Sequence, residues 1–267
     1  MKPDVRKVLS AWALSIPEHR VAVLLSGGID SASILFALLD AGKDVDAYSF
    51  ALAGYPSTDF LAARALARSL GIGFRPVYLP RDLAILKRDV VRLTREIGAR
   101  SKTAVECFWP MLYAYPETAE TVVASGMGAD GHFCISKRGM IHFRDRIDEF
   151  RRGLYANPDY AQAPLHHAFA ASLGKRAEMP YLSDAMRAEF LGTSWRSINT
   201  PHQKQAILDA YPEQFVRMRV RPHTNLQLGD SGIAEQFEAL LRSDWNPRNQ
   251  ARSVVALYNA ARDGRLG

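Results

Sequence analysis

Two short stretches carry residue types suited to phosphate chemistry. The first is Ser26-Gly27-Gly28-Ile29-Asp30-Ser31, where an apolar run ends and a helical pattern begins. Glycine at 27 and 28 permits positive φ and close approach of a ligand to the main chain. Successive N–H groups then face one concavity, and the following helix adds its positive end. The hydroxyls of Ser26 and Ser31 have the length to donate to the same anion. Asp30 has no use as a phosphate contact, but it suits a Mg²⁺ bridging phosphate oxygens. For the glycine pair alone, a plain strand-to-helix turn with Asp30 as a favourable N-terminal helix charge is the simpler account. The turn lacks Gly-Lys-Ser/Thr and GxGxxG, so it is neither a Walker loop nor a dinucleotide fingerprint. The second stretch, Ser125-Gly126-Met127-Gly128-Ala129-Asp130-Gly131, again puts glycines after a β-branched run.

Such turns need strands and helices to hold them. RVAVLLS reads as a buried strand and DSASILFALLDAG as the helix after it, with Gly42 just past its end. DVDAYSFAL is a second strand, and STDFLAARALARSLGI a helix capped by Ser57 or Thr58. FRPVYLP is a third strand and DLAILKRDVVRLTREIG a long helix. ECFWPMLYAYP reads as helical around the awkward Pro110, and ETVVASGMGADG is a fourth strand running into the second glycine turn. This alternation predicts an α/β fold, a doubly wound parallel sheet covered on both faces. Both glycine turns fall at carboxyl ends of strands, where such sheets collect ligands, so they are expected to face one crevice. After about residue 135 the strand signals fade. IDEFRRGLYA, PLHHAFAASLG, SDAMRAEFLG, HQKQAILDAYP and VVALYNAARDG all read as helices. The expected division is an α/β core over 1–135 that carries both glycine turns and a C-terminal helical lobe over 136–267, packed on the core and completing the site.

The 267 residues suffice for a sizeable core. The net charge of +6 suits a polyanion or a nucleotide triphosphate pocket equally, and no basic run reaches the length of a tail. Two cysteines, Cys107 and Cys134, make no disulfide framework. The N-terminal stretch is too charged for a signal peptide, and no apolar run reaches the ~20 residues of a membrane span. A cytoplasmic location with no membrane partner is the expectation.

LSGGIDSAS resembles the SGGxDS pyrophosphate loop of the N-type ATP pyrophosphatases, or PP-loop enzymes. TVVASGMGADGHF, SFALAGYPSTDFLAARALARSLG, KRAEMPYLSDAMRAEF and PHQKQAILDAYP resemble, in order, segments of the asparagine-synthetase-type synthetase domain, with β-lactam synthetases as relatives. The likeness spans roughly residues 5–215. It implies ATP as substrate and Mg²⁺ as its companion: a small carboxylate attacks the α-phosphate, pyrophosphate leaves, and ammonia or an amine displaces AMP to form an amide. On this resemblance Ser26, Gly27, Gly28, Asp30 and Ser31 hold pyrophosphate and metal. Asp130 is the second metal-binding aspartate, and Leu25, Ser49, Ala51, Ser125 and Gly126 flank the nucleoside. Lys204 stabilises negative charge on the α-phosphate and the intermediate; taken alone, it also reads as a solvated helix residue.

Three departures bear on the substrate. The family's glutaminase domain is not read here, and Lys2 stands where that domain carries its cysteine nucleophile. The expected nitrogen source is free ammonia, a separate glutaminase or another amine. Met127 replaces an acidic residue, and Asp130-Gly131 replaces an Asp-Glu pair. A thioether is neither acid nor base, which points to a more apolar acceptor or to a base from elsewhere. Glu106, His132 and Tyr113 are the titratable neighbours at hand, each equally at home in a structural role. The third departure is RMRVRPHTNLQLGDSGI, which keeps its family pattern only in part; Arg219, Arg221 and His223 there either close over phosphates or lie at the surface. Two other readings stay open: a PP-loop enzyme adenylating a tRNA or DNA base, and a nucleotide-binding homologue without catalysis.

Overall fold

The computed structural model describes residues 2–134, 141–218, 231–243 and 253–265. The chain opens with helix α1 (Val5–Ser15), capped by the Asp4 carboxylate, which accepts the Lys7 N–H. Strand and helix then alternate through β1 (Arg20–Leu24), α2 (Ile29–Asp40), β2 (Asp44–Leu52), α3 (Thr58–Ser69), β3 (Gly73–Leu79) and α4 (Leu83–Arg92). Helices α5 (Lys102–Phe108) and α6 (Met111–Glu117) lead to β4 (Val122–Ser125) and the short α7 (Ala129–Phe133). There follow α8 (Ile147–Ala156), α9 (Ala163–Ser172), β5 (Arg176–Glu178), α10 (Asp184–Phe190), α11 (Trp195–Ile198), α12 (Gln205–Ala210), α13 (Pro212–Val216), α14 (Ile233–Ser243) and α15 (Val254–Arg262).

Local chemistry explains the boundaries. Ser57, not Thr58, caps α3, accepting the Phe60 N–H at 3.1 Å. Asp82 does the same for α4 at Ile85. The long helix expected over 82–98 changes pitch. After Arg92 it widens into a π-turn over Leu93–Ile97, which Gly98 ends at φ 88°. Pro110 divides the next helical stretch into α5 and α6.

The sheet runs in the order β3-β2-β1-β4-β5, and every pairing is parallel. Its strand order reverses at β1, where Leu24 pairs with Tyr48 on one side and Ser125 on the other. The turns after β1 and β4 therefore leave the sheet side by side, at the switch point where doubly wound sheets bind ligands. Val21 and Val23 pack into one core cluster with α1, α2 and α3, while Ala22 packs into the other with α4, α5 and α6. Burial on both faces is why the strand reads as a continuous apolar run.

One expectation needs correcting. The segment after residue 135 is not wholly helical: β5 extends the sheet, with Ala177 opposite Val123. Three residues, two of them charged, leave no apolar alternation to read. The later helices share the core of the sheet, since Tyr181, Met186, Phe190 and Ile207 lie in one cluster with β1 and α2. Among the described residues, no helix is long and apolar enough to cross a membrane.

Candidate active site

The first turn is braced by its own side chains. The Ser31 hydroxyl accepts the Ser26 N–H at 3.1 Å, lies 3.1 Å from the Ser26 hydroxyl and donates to the Gly28 carbonyl at 3.2 Å. Gly28 N–H in turn donates to Ser26 Oγ at 3.3 Å. The two serines thus shape the loop as well as bordering the cavity. Gly27, at φ 69°, serves packing: a Cβ there would stand 2.7 Å from Ala62 Cβ and from the Ala63 nitrogen. The close approach expected of a ligand is at this residue made by helix α3. Gly28 begins α2 without a side-chain cap, the arrangement in which a helix N-terminus takes an anion.

The second turn packs directly on the first. A Cβ on Gly126 would lie 2.6 Å from the Asp30 carbonyl carbon and 2.7 Å from the Ser31 nitrogen. Only glycine lets the turn after β4 sit on the first turn of α2. Gly128, at φ 91°, then starts α7, which carries Asp130. A Cβ on Gly131 would meet Tyr160 Cε1 at 2.6 Å. The side chain missing from the family's Asp-Glu pair leaves room that the Tyr160 ring occupies.

Lys204 joins the two turns. Its ammonium lies 2.5 Å from Asp30 Oδ2 and 2.7 Å from Asp130 Oδ1. The three residues come from three separate segments, and Lys204 is only 4% exposed. It precedes α12 instead of lying in it, in the left-handed region at φ 60°, a conformation that costs an L residue roughly 1 kcal/mol. A solvated helix lysine is thereby excluded. Burial works to lower its pKa, but the attraction of Asp30 and Asp130 outweighs it, and the ammonium stays protonated above the ordinary lysine value.

A cavity of about 1350 Å³ opens over these groups. Leu25, Ser26, Gly27, Gly28, Asp30, Ser31, Ser49, Ser125, Gly126, Asp130 and Lys204 line it, with Met127 beside them. Ala51 does not: it is buried where β2 runs on beside β3, opposite Tyr78. None of the three substitute bases reaches the cavity. Glu106 is buried against Lys102 at 3.1 Å, and burial raises its pKa. Tyr113 donates to the buried Asp89. His132 is packed between Tyr155 and Phe190 and bonded to the Tyr181 carbonyl at 2.6 Å, and burial lowers its pKa to about 4. Cys107 lines the cavity, but burial pushes its thiol to about 11, out of reach of thiolate chemistry at neutral pH. Arg219, Arg221 and His223 lie outside the described residues.

Sequence reading missed Tyr160, which lines the cavity as a phenol held protonated by burial and by Asp130. The glycine at 131 was its one trace. Among the described residues, no group of three or more His, Cys, Asp or Glu side chains converges as a metal cage. The carboxylates of Asp30 and Asp130, which border this cavity, nevertheless fit Mg²⁺, which takes one or two carboxylates and completes its shell with phosphate and water.

Three solved structures are similar to this chain at low identity. A predicted subunit of tRNA methyltransferase from Methanocaldococcus jannaschii is 14% identical, covering 80% of this chain and 96% of its own, at a TM-score of 0.35. NMN synthetase from Francisella tularensis is 13% identical, covering 82% and 97%, at 0.37. The U34-tRNA thiolase NcsA from Methanococcus maripaludis is 11% identical, covering 97% and 76%, at 0.36. No curated protein matches the chain. The asparagine synthase family model matches residues 16–249, which include both glycine turns, the converging aspartates and Lys204, and the chain therefore belongs to that family of ATP-using PP-loop enzymes.

Proposed function

We propose that this protein is an ATP-dependent amide-forming synthetase acting on a small carboxylate. The observation that carries the reading is the meeting of Asp30, Asp130 and Lys204 over the two glycine turns. The cavity exceeds the roughly 300–1,000 Å³ usual for one drug-sized ligand, which suits a nucleotide and a second substrate together. In the first step a carboxylate oxygen attacks the α-phosphorus of ATP, the α–β P–O bond breaks, and pyrophosphate leaves with the bonding pair. An acyl-adenylate results. In the second step an amine nitrogen attacks its carbonyl carbon, AMP leaves with the C–O pair, and the nitrogen gives up a proton.

The residues divide this work. The turn after β1 and the uncapped start of α2 grip the leaving diphosphate through backbone N–H groups. Asp30 and Asp130 would hold Mg²⁺, which when bound neutralises charge on phosphate oxygens. Lys204 sets a fixed positive charge beside the oxygens that gain charge, in a site partly shielded from water. Met127, where the family carries an acid, and the Tyr160 ring give the cavity uncharged lining groups, which favours an acceptor acid more apolar than aspartate.

ATP–pyrophosphate exchange over a panel of carboxylates, with and without ammonium, tests the reading. Exchange that depends on a small acid, followed by amide formation when an amine is added, is the expected outcome. Exchange seen only with RNA or DNA would make a nucleic acid base the adenylated group. Nucleotide binding without exchange under any condition would overturn the assignment of catalysis.

A further inference from the structure

The geometry points to Asn199 as the positioning residue that keeps the two halves of this site in register. The inference deepens the reading above and rests on it for the activity it affects. Asn199 follows α11, is buried, and does not line the cavity. Its amide nitrogen donates to the carbonyls of Phe133 and Trp195, each at 3.1 Å. Its oxygen accepts the N–H of Lys204 at 2.9 Å. The amide can sit only this way round, because the flipped group would set its oxygen against two carbonyls and its donors against an N–H.

Each bond lands on an element of the site. Phe133 ends α7, the five-residue helix that carries Asp130. Lys204 stands in a left-handed conformation that needs external support, and the bond from Asn199 reaches its own N–H. One side chain therefore ties the backbone of the Asp130 helix to the backbone of the lysine that meets Asp130. An apolar side chain of the same size would leave the Lys204 N–H and the Phe133 carbonyl buried without partners.

The reactivity of Lys204 reads this directly and needs no substrate. Acylation by an amine-reactive ester is followed at each lysine by mass spectrometry. Native Lys204, enclosed between two carboxylates, reacts slowly. In Asn199→Leu its labelling is expected to rise about 10-fold or more, while the exposed Lys2 labels as before and, although the thermal midpoint falls, circular dichroism stays native at the labelling temperature. Asn199→Asp keeps the acceptor for Lys204 and loses the donor to Phe133, and it decides the matter if the leucine variant does not fold. Unchanged labelling of Lys204 in the folded variants overturns the proposal. In pyrophosphate exchange, the variants are expected to lose about 10-fold in kcat with the KM for ATP held within about twofold. Adding Asn199→Leu to Lys204→Met should cost nothing more, whereas a merely structural role would give additive losses. If the native protein exchanges with no acid, the synthetase reading fails while the labelling result still decides the role of Asn199.

Discussion

Asp30 and Asp130 share one lysine ammonium, so a change at any of the three alters the charge that the other two present to a ligand. Asp30→Asn keeps the volume and removes the charge. Pyrophosphate exchange is expected to fall by roughly 100-fold or more, the scale on which loss of one preorganised electrostatic group acts, with circular dichroism unchanged. Native rates in this variant would refute the metal-binding role. Lys204→Arg is the complementary case. A guanidinium keeps the charge but spreads it over a planar fork too wide for a slot that leaves lysine 4% exposed. Initial-rate measurements should show it as impaired as Lys204→Met; rescue by arginine would mean that the charge alone suffices.

At the scale of elements, the two turns work only because they touch. Gly126→Ala places a methyl against the backbone of Asp30 and Ser31 and forces the second turn away from α2. Overpacking of this kind costs about 1–3 kcal/mol, and here it also separates the carboxylates, so stability by urea titration and exchange activity should fall together. Gly153 is the control. It lies in the middle of α8 with open space where a Cβ would go, so Gly153→Ala should stabilise the fold by roughly 0.5–1 kcal/mol and leave activity alone. The sites of both turns were legible because glycine after a β-branched run marks a strand end. Their mutual contact was not, because nothing in either stretch states which strand lies beside which.

Among the described residues two histidines, His132 and His166, are buried with lowered pKa, and both contribute to the response of the whole molecule to acid. Burial is the main cause that holds His132 near 4, with Arg151 and Arg187 adding to it against the Tyr181 carbonyl; burial holds His166 near 3. The unfolded chain takes up both protons near 6.5, so the stability these rings represent is complete above that pH. It is lost as pH falls from about 6.5 toward 4 for His132 and toward 3 for His166. For His132 alone the loss is roughly 3 kcal/mol. Urea unfolding at pH 7.5, 6 and 5 should show the decline, and His132→Gln should flatten it by about one proton. An equal slope in that variant would mean the native ring titrates normally. His132 also illustrates how a residue beside a site resists assignment from its neighbours in sequence. Adjacent to the Asp130 turn, it points into the aromatic core instead.

Local sequence by itself determined the four long-signal strands, the helices between them and the two glycine turns, because burial on both faces and backbone freedom are written in consecutive residues. The family likeness added Asp130 as a second metal-binding aspartate and Lys204 as a charge-stabilising lysine, and only the fold showed Lys204 bonded to both aspartates. Tertiary structure alone decided the strand order, the edge strand at 176–178, the ring of Tyr160 filling the space beside Gly131, the displacement of Ala51 from the cavity and the bridge made by Asn199. Each of these depends on contacts between distant segments, and such contacts have no period, spacing or composition by which a single chain announces them.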